Sequence, residues 1–130
     1  MFSDIELLRT LTTCERRPNL LVDCSERTAY DVVDHLRLLC QMPFHHCHLP
    51  GTLNLPSAEC HTLVFHDVGR MTLTQQLAVF DWLQSEGRNI QVVSITEQPL
   101  VDMVHDGYFL EGLFYRLNTI SITAMGTRKS

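Results

Sequence analysis

The 130-residue chain has no CxxC pair, and its cysteines are odd in number: Cys14, Cys24, Cys40, Cys47 and Cys60. Both facts argue against a disulfide framework and for a reducing compartment, so a cytoplasmic location is expected. No basic stripe is present, and the formal net charge is -5, so direct nucleic-acid binding is not expected. No apolar run approaches the length of a membrane span, so no membrane partner is expected. The opening MFSDIELLRTL carries acids where a secretory signal has a basic start and an apolar core. There is no internal repeat and no low-complexity tract. What is present is ordinary for a globular domain: 45% hydrophobic and 19% charged residues, enough for one domain over 1–130 with a single core.

Helix and strand patterns alternate along the chain. IELLRTLTTC places Ile5, Leu8 and Leu11 at helical spacing. NLLVDC (19–24) reads as a buried strand. TAYDVVDHLRLLC (28–40) puts Val32, Val33, Leu36 and Leu39 on one helical face, with Thr28 as a candidate cap. HTLVFHD (61–67) is a second buried strand. TLTQQLAVFDWLQSEG (72–87) has a capping box in Thr72 and Gln75, an apolar stripe of Leu73, Leu77, Phe80 and Leu83, and Gly87 as its stop. NIQVVSI (89–95) is a strand, QPLVDMVHDG (98–107) a short helix, FLEGLFYRL helical and NTISIT a last strand. Apolar strands joined by helices predict a parallel sheet covered on both faces, with ligands beyond the carboxyl ends of the strands.

PFHHCHLPG (43–51) concentrates potential zinc ligands. The segment becomes a strand only through the resemblance given below, and on a strand His45 and Cys47 would face one way and His46 and His48 the other, so at most two of them would meet at one ion. His61 or His66 would have to complete a site. Cys24, at a helix N-terminus and near Arg27, is a candidate reactive thiol. Buried structural roles are the alternative reading of all these residues.

The second half carries a resemblance. TLVFHDVGRMTLTQQLAVFDWLQ, followed by IQVVSITEQPLVDMVHDGYFLEGLFYRLNTISI, resembles the AAA+ domain of sigma-54-dependent transcriptional activators in register over roughly sixty residues. NLLVDCSERTAYDVVDHL is similar, more loosely, to that family's phosphate-loop segment. PFHHCH falls on its second strand. The resemblance implies an α/β three-layer sandwich with a five-stranded parallel sheet, P-loop NTPase (AAA+) like, here expected without the helical lid, the sigma-contacting loop insertion, or flanking receiver and DNA-binding domains.

The family's ATPase chemistry is then matched position by position. A phosphate loop needs glycines for close backbone approach and a lysine for the β and γ phosphates. The glycines fall on Cys24, Arg27 and Ala29, the lysine on Tyr30, and only Thr28 is retained. The metal aspartate falls on His66 and the water-positioning glutamate on Asp67. Magnesium prefers oxygen, so His66 is a poor substitute. The sensor asparagine falls on Glu97, and of two boundary arginines one falls on Leu110 and the other on Arg116. The resemblance therefore implies a degenerate relative that does not hydrolyse ATP and needs no cofactor. The expected function is a non-catalytic regulatory module acting through protein contacts, with sigma-54-type AAA+ activators or a second copy as partner, and with Arg116 as the contact residue or paired locally with Glu111. Two alternatives stay open. One is an ATP–magnesium-binding regulator that uses a relic site of Arg27, Thr28, Tyr30 and Asp67. The other is a metal- or redox-sensing domain drawing on His46, His48, His61 and His66, or on Cys24.

Overall fold

The computed structural model describes residues 10–11, 17–39, 44–56 and 61–123. The apolar runs become strands: β1 (Leu20–Asp23), β2 (Phe44–His48), β3 (Thr62–His66), β4 (Gln91–Thr96) and β5 (Ile120–Thr123). Between them lie α1 (Glu26–Leu39), α2 (Leu73–Leu83), α3 (Leu100–His105) and α4 (Glu111–Leu117). Short 3-10 turns at Val68–Arg70 and Glu86–Asn89 follow β3 and α2. Of the predicted first helix, Thr10 and Leu11 are helical and the rest lies outside the described residues.

All strand pairs are parallel, in the order β2-β3-β4-β1-β5. Every residue of β3 and β4 is buried, as interior strands of a doubly covered sheet require. One face packs Leu20, Val22, Val64, Val93 and Ile95 against Ala29, Val32, Val33 and Leu36 of α1. The other packs Leu21, Leu63, Phe65 and Val92 against α2, α3 and α4 through Val79, Leu83, Leu100 and Leu113. The three-layer parallel α/β architecture is thus as expected.

Two local expectations are corrected. Helix α1 starts at Glu26, and its cap is Ser25, not Thr28: Ser25 Oγ accepts from the Thr28 amide at 3.2 Å. On α2 the capping box of Thr72 and Gln75 is present, but the buried face is Gln76, Val79, Trp82 and Leu83. Leu73 and Leu77 of the expected stripe are exposed. Gln76 turns the helix. Its amide donates to the carbonyls of Met71 and Tyr108, both at 3.1 Å, and its Oε1 accepts from the Leu110 amide at 2.8 Å. A side chain saturated in this way can be buried without the penalty of an unpaired polar group.

Candidate functional site

The carboxyl ends of the strands gather Asp23 and Cys24 (β1), His48 (β2), His66 and Asp67 (β3), and Thr96 and Glu97 (β4) along one edge. Parallel β2 and β3 pair His48 with His66, so these two side chains stand next to each other on the α1 face of the sheet. Their rings are stacked, with centroids 4.2 Å apart and planes 7° from parallel. His46, two residues back on the same face, stacks on His66 at 5.7 Å. Tyr30 comes down from α1 and sets its ring edge-on to His66 at 4.9 Å. Cys47 points to the opposite face, where it joins the α2 layer. Of the four histidines considered for a metal, His46, His48 and His66 converge and His61 does not. His61 lies just before the other end of β3, where Arg17 approaches its Nδ1 at 2.8 Å.

Asp67 follows His66 in a left-handed conformation, φ 63 and ψ 51, which aspartate tolerates better than most residues. This bend starts the Val68–Arg70 turn and holds the carboxylate 3.8 Å from His48 Nε2. His66 is fully buried, and among the described residues neither of its ring nitrogens has a hydrogen-bond partner. Burial lowers its pKa first, with His48 adding to the effect, while Asp67 and Glu26 act in the opposite direction. His46 is lowered to about 4, by burial first and then by His66 and Arg37. These imidazoles are therefore neutral and able to offer lone pairs.

Asp67 also borders a cavity of about 340 Å³, lined with it by Glu26, Gly69, Arg70, Thr96 and Glu97 among others. Three of the named residues are acids and one is a base. Thr96 is occupied internally, its hydroxyl donating to the Gln98 carbonyl at 2.6 Å. Arg27 is exposed on the first turn of α1, and the Thr28 hydroxyl lies 3.1 Å from Ser25 Oγ. Arg116 does not take the expected pairing with Glu111. Its guanidinium donates to the Leu83 carbonyl at 3.1 Å, at the carboxyl end of α2, where a cation also complements the helix dipole.

Of the two readings of Cys24, the structure favours the buried cysteine over the reactive thiol. Its position next to a helix N-terminus would lower the thiol pKa, but burial, followed by the charges of Asp23, Glu97 and Asp67, pushes it up to about 11. At neutral pH the thiolate fraction is then roughly a hundredfold below that of an ordinary cysteine. Iodoacetamide labelling with peptide mapping should show the Cys24 peptide reacting about a hundredfold more slowly than free cysteine. Labelling of the folded chain at the free-thiol rate would contradict this account of the field around β1.

The sequence pattern of the sigma-54 interaction domain family matches residues 48–123. The chain belongs to this family. Nitrogen fixation protein VnfA of Azotobacter vinelandii is 37% identical over 48% of this chain and 14% of its own length. Among solved structures, NtrX from Brucella abortus in complex with ADP superposes with a TM-score of 0.68 at 18% identity, covering 92% of this chain and 35% of that one. The P-loop NTPase domain of the sigma-54 transport activator from E. coli gives 0.65 at 17% identity, covering 93% of this chain and 91% of that one. These likenesses establish a P-loop NTPase fold for this sigma-54 interaction domain. The chain spans only a small part of VnfA and about a third of NtrX. Among the described residues, no helix is long and apolar enough to cross a membrane.

Proposed function

We propose that this sigma-54 interaction domain is a non-catalytic regulatory module that works through protein contacts and not through ATP turnover. The observation that carries the reading is the path of the chain after β1. Where the resemblance read from NLLVDCSERTAYDVVDHL would place a phosphate loop, only Cys24 and Ser25 separate strand from helix. Two of the amides that such a loop would turn toward phosphate are already bonded: Thr28 N to Ser25 Oγ at 3.2 Å and Ala29 N to the Ser25 carbonyl at 2.9 Å. Phosphate binding by a loop or helix start needs those amides free. At the lysine position Tyr30 lies against His66 and His48, and the neighbouring cavity carries Glu26, Asp67 and Glu97. Carboxylates there oppose a polyphosphate.

The outward side of the α2–α4 layer supports protein contact. Leu73, Leu77, Val101, Tyr108 and Tyr115 are all exposed on its helices and linking loop. Exposed apolar groups brought into one layer suit docking to another protein, and an intact AAA+ subunit of a sigma-54 activator is the partner we favour. Calorimetry with MgATP should give flat heats at millimolar nucleotide, with no phosphate release. A saturable heat would return the ATP-binding reading, with Arg70 of the cavity as its cation. Sedimentation with an intact sigma-54 activator should show a complex that Leu77→Ser together with Tyr115→Ser weakens; failure of the native chain to co-sediment would count against the partner.

A further inference from the structure

We infer that His48, His66 and Asp67 form a binding site for a divalent transition metal of the zinc class. One donor atom from each of the three lies within 4.8 Å of the other two. The site stands independently of the regulatory reading above.

Two observations point to a ligand there. The first is the state of His66. It is fully buried, with both ring nitrogens unpaired among the described residues. A neutral imidazole carries one N–H donor and one acceptor, and leaving such groups buried and unpaired is destabilising. Buried polar atoms in folded proteins nearly always have partners, and a bound ion would supply one to this ring. The second is the backbone beside it. Asp67 takes a left-handed conformation that a residue with a side chain adopts at a cost, and the bend keeps its carboxylate next to the His48 ring, 3.8 Å away. Glu26 and Glu97 line the same cavity as Asp67 and outnumber Arg70, its one cation among the described residues, so the net charge there favours a positive ion.

The donor set selects the metal. Two imidazoles and one carboxylate are borderline ligands that suit zinc, cobalt, nickel or iron. Magnesium and calcium prefer all-oxygen shells. Three protein ligands leave a coordination position open to water or a partner's side chain. Zinc–ligand bonds of about 2.0–2.2 Å require donors about 3.3 Å apart, closer than the widest separation here. The parallel stacking of His48 on His66 also aims their lone pairs alongside each other. Binding therefore swings the His48 ring out of the stack and toward Asp67. His48 is the ligand free to do so: 46% of its side chain is exposed, whereas His66 is held in the core. His61, just before the other end of β3 and next to Arg17, takes no part.

The test uses the full chain stripped with chelator and then titrated with Co²⁺, followed by its d–d absorption, and with Zn²⁺ by calorimetry. The native chain should bind one ion, with nitrogen and oxygen ligation and no thiolate charge-transfer band. His48→Ala and Asp67→Asn, both outside the core, should each weaken binding at least tenfold, and His61→Ala should leave it unchanged. Circular dichroism of the two variants confirms the fold. Asparagine tolerates the left-handed backbone, so Asp67→Asn isolates the charge. No stoichiometric binding, a thiolate band, or affinity unaltered in both His48→Ala and Asp67→Asn would overturn the assignment.

Discussion

Gln76→Ala is expected to lower unfolding stability by about 3 kcal/mol, because it orphans three backbone groups at once. Gln76 sits on the buried face of α2 and joins that helix to its own start, at Met71, and to the segment entering α4, at Tyr108 and Leu110. No other side chain is recorded bonding the Leu110 amide or the Tyr108 carbonyl among the described residues. Gln76→Leu fills nearly the same volume and should be almost as harmful, which separates lost hydrogen bonds from lost packing. Gln76→Glu keeps an acceptor for Leu110 but sets a carboxylate against two carbonyls, and should lie no higher than Gln76→Leu. Urea unfolding reads the loss as a lower midpoint at unchanged slope. Hydrogen exchange at the Leu110 amide should accelerate in all three variants. A Gln76→Leu loss under about 1 kcal/mol, with Leu110 still protected, would mean that packing and not the clamp holds the α2–α4 layer.

Gly87→Ala should destabilise the fold by about 2–3 kcal/mol through a direct clash. A Cβ at this position would fall 2.5 Å from Trp82 Cε3 and 2.6 Å from its Cδ2 and Cζ3. The indole cannot move aside easily. It is buried, and its Nε1 donates to the Pro56 carbonyl at 2.9 Å. The glycine is therefore required by close approach, and not as the stop of α2, which ends at Leu83. Trp82 is the only tryptophan in the chain, so its emission reports this contact alone. A red shift should accompany the fall in stability as the ring is pushed toward water. A Gly87→Ala variant of native stability and emission would show that the Glu86–Asn89 turn gives way instead.

The sheet was legible because it rests on strong, local signals. Apolar runs such as LLVD and TLVFH have the length of buried strands, and their alternation with helices leaves few topologies. Once the family resemblance made PFHHCH a strand, the pleat put His46 and His48 on one face and Cys47 on the other, and the structure agrees. The errors came where one residue's bonds outweigh a pattern. Apolar periodicity selects Leu73 and Leu77 for the interior of α2, but Gln76 satisfies all its polar atoms and rotates them out. Ser25 and Thr28 are both good caps, and only the actual end of β1 decides between them. His61 could have been set aside from sequence. It is five residues from His66, which on a strand means the opposite face and about 16 Å of separation. Tyr30 gave no such signal, because its ring contact depends on how α1 crosses the sheet. Arg116 reaching Leu83 is equally a matter of tertiary packing.

The two-residue passage from β1 into α1 bears on how readily this chain could change its role. A comparison by position suggests that lysine at Tyr30 and glycine at Arg27 and Ala29 would restore a nucleotide grip. The backbone argues otherwise. A lysine at position 30 would extend from the second turn of an intact helix, whose Ser25 cap and Ala29 amide bond would be unaffected by it. On the proposed reading, building a phosphate loop here would require unwinding a turn of α1 and moving Tyr30 off the imidazoles. Point substitutions at positions 27, 29 and 30 therefore leave the course of the chain, and with it the proposed non-catalytic character, unchanged.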